Sequence, residues 1–315
     1  MKKKHYKQKE EIVPVIIKKS GKKRWLILGF CLCLSIYSIF VLFRDYQKSS
    51  FYSYTDRVNI VVFGKKTNFY SLGMSDNINY MVSYYPDMRV EVPGGYGLYR
   101  IGALGKFLKL EKNPELLKRT FSSVTSTFIT YYFYDSNDEI YYGKDRDTSA
   151  NMPSMQSILF SNSNANIVDR LAILFAFSQK KSQDIRLLTR LRTETDEMDD
   201  IVFNEKSFRD LYLGYFYQNT YRREKNNIQI VYGKSYKTVQ RMSDLLEGNG
   251  IRVSDYTYSD NPKRLCQIVE DKDIVSQTAK GLSRYFGCQI VRGNTDIYDI
   301  IFHLGDKERD WQVSS

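Results

Sequence analysis

The sequence predicts a layered α/β protein carried on an N-terminal transmembrane helix and closed by a small ferredoxin-like α+β unit. Three observations predict it. One segment near the start is long, apolar and uncharged. Behind it, β-branched runs interleave with helically spaced apolar residues. Residues 226–310 then order their elements as β-α-β-β-α-β with a further strand.

The apolar segment is Trp25–Phe43 (WLILGFCLCLSIYSIFVLF), 19 residues without a charge. At about 1.5 Å rise per residue it makes roughly 28 Å of helix, close to the bilayer hydrocarbon thickness. Trp25 and Tyr46 sit near its ends, where amphipathic rings prefer the headgroup layer. A cleaved signal peptide is the rival reading, but it calls for a shorter apolar region followed by an A-x-A-like site. Here the segment runs straight into Phe43 and Arg44. The tail before it carries ten Lys and Arg against Glu10 and Glu11. Basic flanks stay in the cytoplasm, so the expected topology is single-pass with the carboxyl-terminal side extracytoplasmic.

Charge also bears on partners. The tail supplies +8 of the formal +11, leaving +3 for the remainder. The excess is therefore a membrane-flanking feature, and anionic lipid suits it better than nucleic acid. By charge the expected partner is the membrane, and no nucleic acid is expected. Cys31 and Cys33 lie inside the apolar segment and read as apolar residues. Cys266 and Cys288 lie beyond it, where a disulfide survives; spacing alone leaves their pairing open.

Residues 44–57 are polar and Tyr/Ser-rich and read as a stalk. Val58–Phe63 (VNIVVF) is a continuous β-branched run ending at Gly64, the pattern of a strand buried on both faces. Ile78–Tyr85 is a second strand, stopped by Pro86, and Arg89–Val92 a third, ending in Pro93-Gly94-Gly95. Leu104, Phe107, Leu108 and Leu110 fit one helical face. Pro114 opens another helix, with Leu116, Leu117, Phe121 and Val124 inward. Phe128–Tyr134 has strand composition. Ile167–Phe177 reads as an amphipathic helix with Asp169 and Arg170 on its polar side, and Phe208–Phe216 as a shorter one.

The terminal unit is cleaner. Ile228–Tyr232 is a strand, and Thr238–Glu247 a helix with Val239, Met242, Leu245 and Leu246 inward. Gly248-Asn249-Gly250 supplies left-handed conformations to end it. Ile251–Tyr258 and Leu265–Glu270 are strands. Ile274–Phe286 is a helix with Ile274, Thr278, Leu282 and Phe286 on one stripe, ended by Gly287. Cys288–Val291 and Ile297–His303 complete the set.

Chemistry is sparse. His303 is the one histidine outside the tail, which holds His5. A His-x-x-x-His zinc site is excluded, and His303 at a strand end reads as structural. Gly233-Lys234-Ser235 suggests a phosphate loop, but Ile228 stands where the first glycine belongs. Pro93-Gly94-Gly95-Tyr96-Gly97 lacks dinucleotide spacing and reads as a loop needing positive φ. The acidic run Glu194–Asp200 lacks the glycine and spacing of an EF-hand loop, and no metal site is expected. The 26 Tyr suit sugar stacking, and equally suit the core of a β-rich protein.

The order of basic tail, single anchor, α/β domain and terminal unit resembles the LytR-CpsA-Psr envelope proteins. Val231-Tyr232-Gly233, the helix after it and Gly250-Ile251-Arg252-Val253 resemble the LytR carboxyl-terminal domain, with Tyr-Gly replacing the usual Asn-Gly. In the larger domain, Val58-Asn59-Ile60-Val61-Val62-Phe63-Gly64 is similar to the family's first strand. Ser75-Asp76 is similar to its Arg-Ser-Asp motif. Val92-Pro93-Gly94-Gly95-Tyr96-Gly97 and Arg100-Ile101 are similar to the segment after its catalytic arginine. The resemblance implies boundaries of 1–24 (tail), 25–43 (transmembrane helix), 44–57 (stalk), 58–225 (divergent family domain) and 226–310 (LytR C-terminal-like domain).

It also implies a chemistry. Catalytic members move a glycopolymer from a polyprenyl pyrophosphate carrier to peptidoglycan, using Asp-bound magnesium and Arg-bound pyrophosphate. This chain departs from that set. Gly64-Lys65-Lys66-Thr67-Asn68 replaces Gly-x-Asp-x-Arg, Met74 replaces the arginine before Ser-Asp, and no Pro-Arg-Asp lies between Tyr85 and Val92. A lysine where a metal-binding carboxylate belongs repels the ion. The expectation is a non-catalytic binding or scaffold protein of cell-wall or glycopolymer assembly, without a cofactor, and the resemblance implies an envelope glycan or another envelope protein as partner beside the membrane. The alternative is an active phosphotransferase with magnesium, using Asp76 and Arg100 as catalytic groups and Lys65, Lys66 and Arg100 to bind substrate.

Overall fold

The computed structural model describes residues 21–49, 51, 56–135, 139–195 and 200–314, with backbone alone for 21–24. The tail with His5, most of the stalk and part of the acidic run lie outside the described residues. Two compact units result, one ending at Gln47 and one covering Lys48–Ser315.

The first unit is α1 (Gly21–Gln47), in which Trp25–Gln47 is long and apolar enough to cross a membrane. It outlasts the expected end at Phe43, because no Gly or Pro stands among Arg44, Asp45, Tyr46 and Gln47 to break it. Described residues of the expected stalk are accounted for too: Ser49, Phe51, Asp56 and Arg57 are buried in the second unit.

The second unit opens with β1 (Arg57–Phe63), β2 (Thr67–Gly73), β3 (Asn79–Tyr84), β4 (Arg89–Val92) and β5 (Gly97–Arg100). There follow α2 (Leu104–Glu111), α3 (Glu115–Thr125), β6 (Tyr131–Tyr134), α4 (Met155–Phe160), β7 (Asn162–Ser163) and α5 (Ile167–Ser178). Next come β8 (Ile185–Leu187), β9 (Thr193–Thr195), β10 (Ile201–Phe203), α6 (Glu205–Tyr212) and α7 (Asn219–Glu224). A six-stranded mixed sheet has the order β7-β6-β1-β2-β3-β8, and a four-stranded one β5-β4-β10-β9.

β1 is buried on both faces, as its β-branched run predicts. Val61 and Phe63 join the core shared with α2, α3 and α6, while Val58 and Ile60 join a second core under α4 and α5. The hairpin partner β2 was not expected; its sequence TNFYSLG mixes polar and aromatic residues, yet all seven are buried. In α2, Leu104, Phe107 and Leu108 are buried but Leu110 points out. α3 follows Pro114 with all four expected residues inward. α6 ends at Tyr212, short of Phe216.

Helix α5 reverses its expected sides. Asp169, read as polar-facing, is buried with Ile173, Ala176 and Phe177, and the outward side is apolar. Asn166 caps the helix by accepting from the Asp169 N–H. The inward carboxylate is satisfied by three donors, the Ser49 hydroxyl, the Phe51 N–H at 3.3 Å and the Tyr131 hydroxyl at 2.7 Å.

The terminal part comprises β11 (Asn227–Tyr232), α8 (Tyr236–Gly248), β12 (Arg252–Tyr258), β13 (Gln267–Glu270), α9 (Gln277–Phe286), β14 (Gln289–Arg292), β15 (Ile300–His303) and α10 (Lys307–Asp310). The α/β character and element order are those expected, but the connectivity is not ferredoxin-like. The strand order is β12-β11-β15-β13-β14, with β11 parallel to β12 and β13 parallel to β14. A ferredoxin-like sheet places another strand inside each crossover; here each helix joins adjacent strands. β15 takes the centre because Ile300 and Phe302 are fully buried, whereas β14 is exposed throughout and forms an edge.

Smaller corrections follow local chemistry. Ile274 precedes α9 and is exposed, since Ser276 caps that helix two residues later. Of the Gly248-Asn249-Gly250 turn, only Gly250 takes a positive φ, 85°. Cys266 and Cys288 form a disulfide with Cα atoms 4.9 Å apart. Tyr70, Tyr84 and Tyr131 are among the largest fully buried side chains, so much of the tyrosine content is core.

Candidate functional site

Four charged residues singled out from the sequence lie in three places. Lys65 and Lys66 form the turn between β1 and β2, and both are exposed. Lys66 Nζ reaches Asp147 Oδ1 at 2.8 Å, and that bond holds its amine above the ordinary lysine range. Asp147 also accepts from Asn68 Nδ2 at 2.9 Å. Burial pushes its carboxyl up, but the bonds from Lys66 and Asn68 prevail and hold it below the usual range.

Asp76 lies beyond the other end of β2, in the turn to β3. Its Oδ1 accepts from the Ile78 N–H at 2.9 Å, and its Oδ2 pairs with Arg57 at 3.1 Å. Arg57 is buried; burial lowers its pKa against the pull of Asp76. The Arg57 guanidinium also donates to Ser71 and to the Ile78 carbonyl. Asp76 therefore closes a turn and neutralises a buried cation. Arg100, at the end of β5, lies 3.4 Å from Asp200, which also pairs with Arg89. Asp200 closes the acidic run, while Glu194 of the same run accepts from Asn204.

Two glycine motifs are filled by the chain itself. At the start of α8, the N–H groups of Gly233, Lys234 and Ser235 converge as they would on a phosphate, and Glu308 occupies them at 2.9, 2.7 and 2.8 Å. In the Pro93 loop, Gly94 and Gly95 have φ of 102° and 80°. Their N–H groups both donate to the Gln312 carbonyl, at 2.9 and 3.0 Å. His303 ends β15, and burial lowers its pKa with help from Lys263.

The residues present do not fit the magnesium site that the family resemblance implies. Asp76 faces a guanidinium, Lys66 stands at the other candidate position, and among the described residues no group of three or more His, Cys, Asp or Glu could hold a metal ion. Sequence reasoning missed Asp147, Arg57 and Arg89. Arg57 carried a signal, being a charge directly ahead of an apolar strand; Asp147 carried none.

Fold and residues together define a mixed α/β protein that has, among the described residues, one helix fit to span a bilayer. No protein-family profile and no curated protein sequence matches the chain. Among solved structures, TagV of B. subtilis is 12% identical at a TM-score of 0.34, over 50% of this chain and 97% of that one. TagT of B. subtilis is 9% identical at 0.34, over 50% and 88%; both are proteins of the LytR-CpsA-Psr family. A protein described as a transcriptional regulator from Enterococcus faecalis is 11% identical at 0.34, over 66% and 90%. Likenesses this slight carry no conclusion about activity, ligand or partner.

Proposed function

We propose that the chain is a single-pass, membrane-anchored extracytoplasmic protein of the cell envelope that binds or scaffolds during cell-wall or glycopolymer assembly, without catalysing transfer. The apolar helix and the basic tail ahead of it support the anchor and its orientation. The envelope role rests on the resemblance carried by Val58–Gly64, Ser75-Asp76, Val92–Gly97 and the terminal unit.

The observation that carries the non-catalytic reading is the dispersal of charge into separate pairs. Phosphoryl transfer from a pyrophosphate needs cations and metal-holding carboxylates to converge on one diphosphate. Here Asp76 is taken by Arg57, Lys66 by Asp147 and Arg100 by Asp200. Lys66 and Asp76 flank opposite ends of a strand of seven residues, which at about 3.3 Å per residue separates them by roughly 20 Å.

The test supplies the full chain, reconstituted in vesicles, with a polyprenyl-pyrophosphoryl saccharide, magnesium and a peptidoglycan acceptor. The expected result is no release of polyprenyl phosphate above protein-free vesicles. Magnesium-dependent turnover that disappears in Asp76→Ala restores the transferase reading.

A further inference from the structure

Between α3 and the terminal part lies a cavity of 280 Å³, separate from the charged pairs already described. Lys118 and Arg119 of α3 form one wall. Tyr285, Phe286 and Trp311 form the other, their rings packed on one another with centroids 4.9, 5.8 and 6.4 Å apart. Glu115, Lys307 and Asp310 complete the rim.

The two cations of the wall are deep and short of acceptors. The Lys118 side chain is only 18% exposed, and its Nζ lies 4.6 Å from the centre of the Tyr285 ring. Its paired carboxylate oxygen, Glu115 Oε2, is 3.7 Å away, past hydrogen-bond distance. The other Glu115 oxygen is engaged by the Tyr132 hydroxyl at 3.1 Å. Burial lowers the pKa of the Lys118 amine against the pull of Glu115. Arg119, 13% exposed, gives Nη1 to the Asp310 carbonyl at 2.7 Å, while its buried Nε has no partner among the described residues. An ammonium carries three donors, and buried donors left unmade cost stability. The rim and walls hold three cations, Lys118, Arg119 and Lys307, against the two carboxylates Glu115 and Asp310, an excess of one positive charge. Water satisfies donors but not that excess, and it gains nothing from an aromatic wall.

We infer that this cavity binds a small organic carboxylate, its oxygens received by Lys118 Nζ and Arg119 Nε and its apolar body by Tyr285 and Trp311. One carboxylate supplies the missing acceptors and cancels the single excess charge, whereas a phosphate dianion overshoots it. The site holds whether or not the envelope reading does. Because its walls come from α3 and from the terminal part, an occupied cavity ties the two together and stabilises the fold by mass action.

Saturation-transfer NMR tests this on the full chain in detergent micelles, with benzoate as probe, uncharged benzamide beside it and protein-free micelles as the blank. The expected result is saturable transfer to benzoate, with benzamide about tenfold weaker. No saturable transfer, or benzamide binding as well as benzoate, overturns the inference. Inorganic phosphate displacing benzoate more readily than acetate does gives the cavity to phosphate and overturns it too. Lys118→Met keeps the length of the side chain without its charge. It should weaken benzoate about tenfold and, by removing a buried cation short of acceptors, melt no lower than wild type without ligand. Wild-type affinity overturns the inference, and so does a lowered melting point, which makes the cation a structural member of the core.

Discussion

Asp147 gathers two strands by their turn: Lys66 and Asn68 donate to its carboxylate, and its own N–H donates to Ser83 Oγ at 2.8 Å. Lys66 is exposed, so the ion pair itself contributes little. The amide of Asn68 is buried, and Asp147→Ala, which leaves that donor without its acceptor, should cost about 1–3 kcal/mol. The folded carboxyl lies below its unfolded range, so its contribution is present above about pH 4 and fades as pH falls through the folded value. Thermal melting in detergent should therefore separate wild type from Asp147→Ala at neutral pH and bring them together on acidification. A gap that widens in acid contradicts the assignment. Lys66 was legible as the wrong charge for a metal ligand. Its acceptor was not, because Asp147 lies 81 positions away in a segment without periodicity.

What the sequence showed of the elements followed how uniformly each is buried. β1, α3 and α8 carry unbroken or regularly spaced apolar residues and stand where the pattern put them. β2 was illegible because Asn68 and Ser71 are buried through hydrogen bonds, which no hydropathy pattern reports. The sidedness of α5 failed for the same reason: three donors draw Asp169 inward and leave apolar residues outside. Among the strands of the terminal sheet, β13 and β14 are joined at their starts by the disulfide across 22 positions. Closing a loop of that length stabilises by about 3 kcal/mol in the chain-entropy account. Reduction, or Cys266→Ala with Cys288→Ala, should lower the denaturant midpoint and, because the unfolded chain expands, steepen the slope; an unshifted midpoint contradicts it.

Over the whole second unit, cross-links bind the terminal sheet to the rest. Arg241 of α8 reaches Glu91 of β4 and Glu205 of α6. Burial lowers the Arg241 pKa, but Glu205 and Glu91 outweigh it and raise the net value. Burial pushes Glu205 up, and Arg241 opposes that push. Arg241→Met leaves two carboxylates facing each other without their cation, a loss of about 3–5 kcal/mol. Unfolding should then split or broaden, and adding Glu205→Gln should recover part of the loss; a wild-type transition in Arg241→Met contradicts the coupling. None of this was legible, since the element order of the terminal sheet fits two connectivities and only packing chooses between them.

The seam between Ser314 and Glu91 spans 223 positions, with the Gln312 carbonyl held by Gly94 and Gly95 beside it. A ribosome delivers the Pro93 loop long before it delivers the residues that pin it. The first sheets must therefore wait, with that edge unsewn, until residues 312–314 arrive, and contacts of such long range form slowly. Chaperone dependence should be greatest during that interval of synthesis.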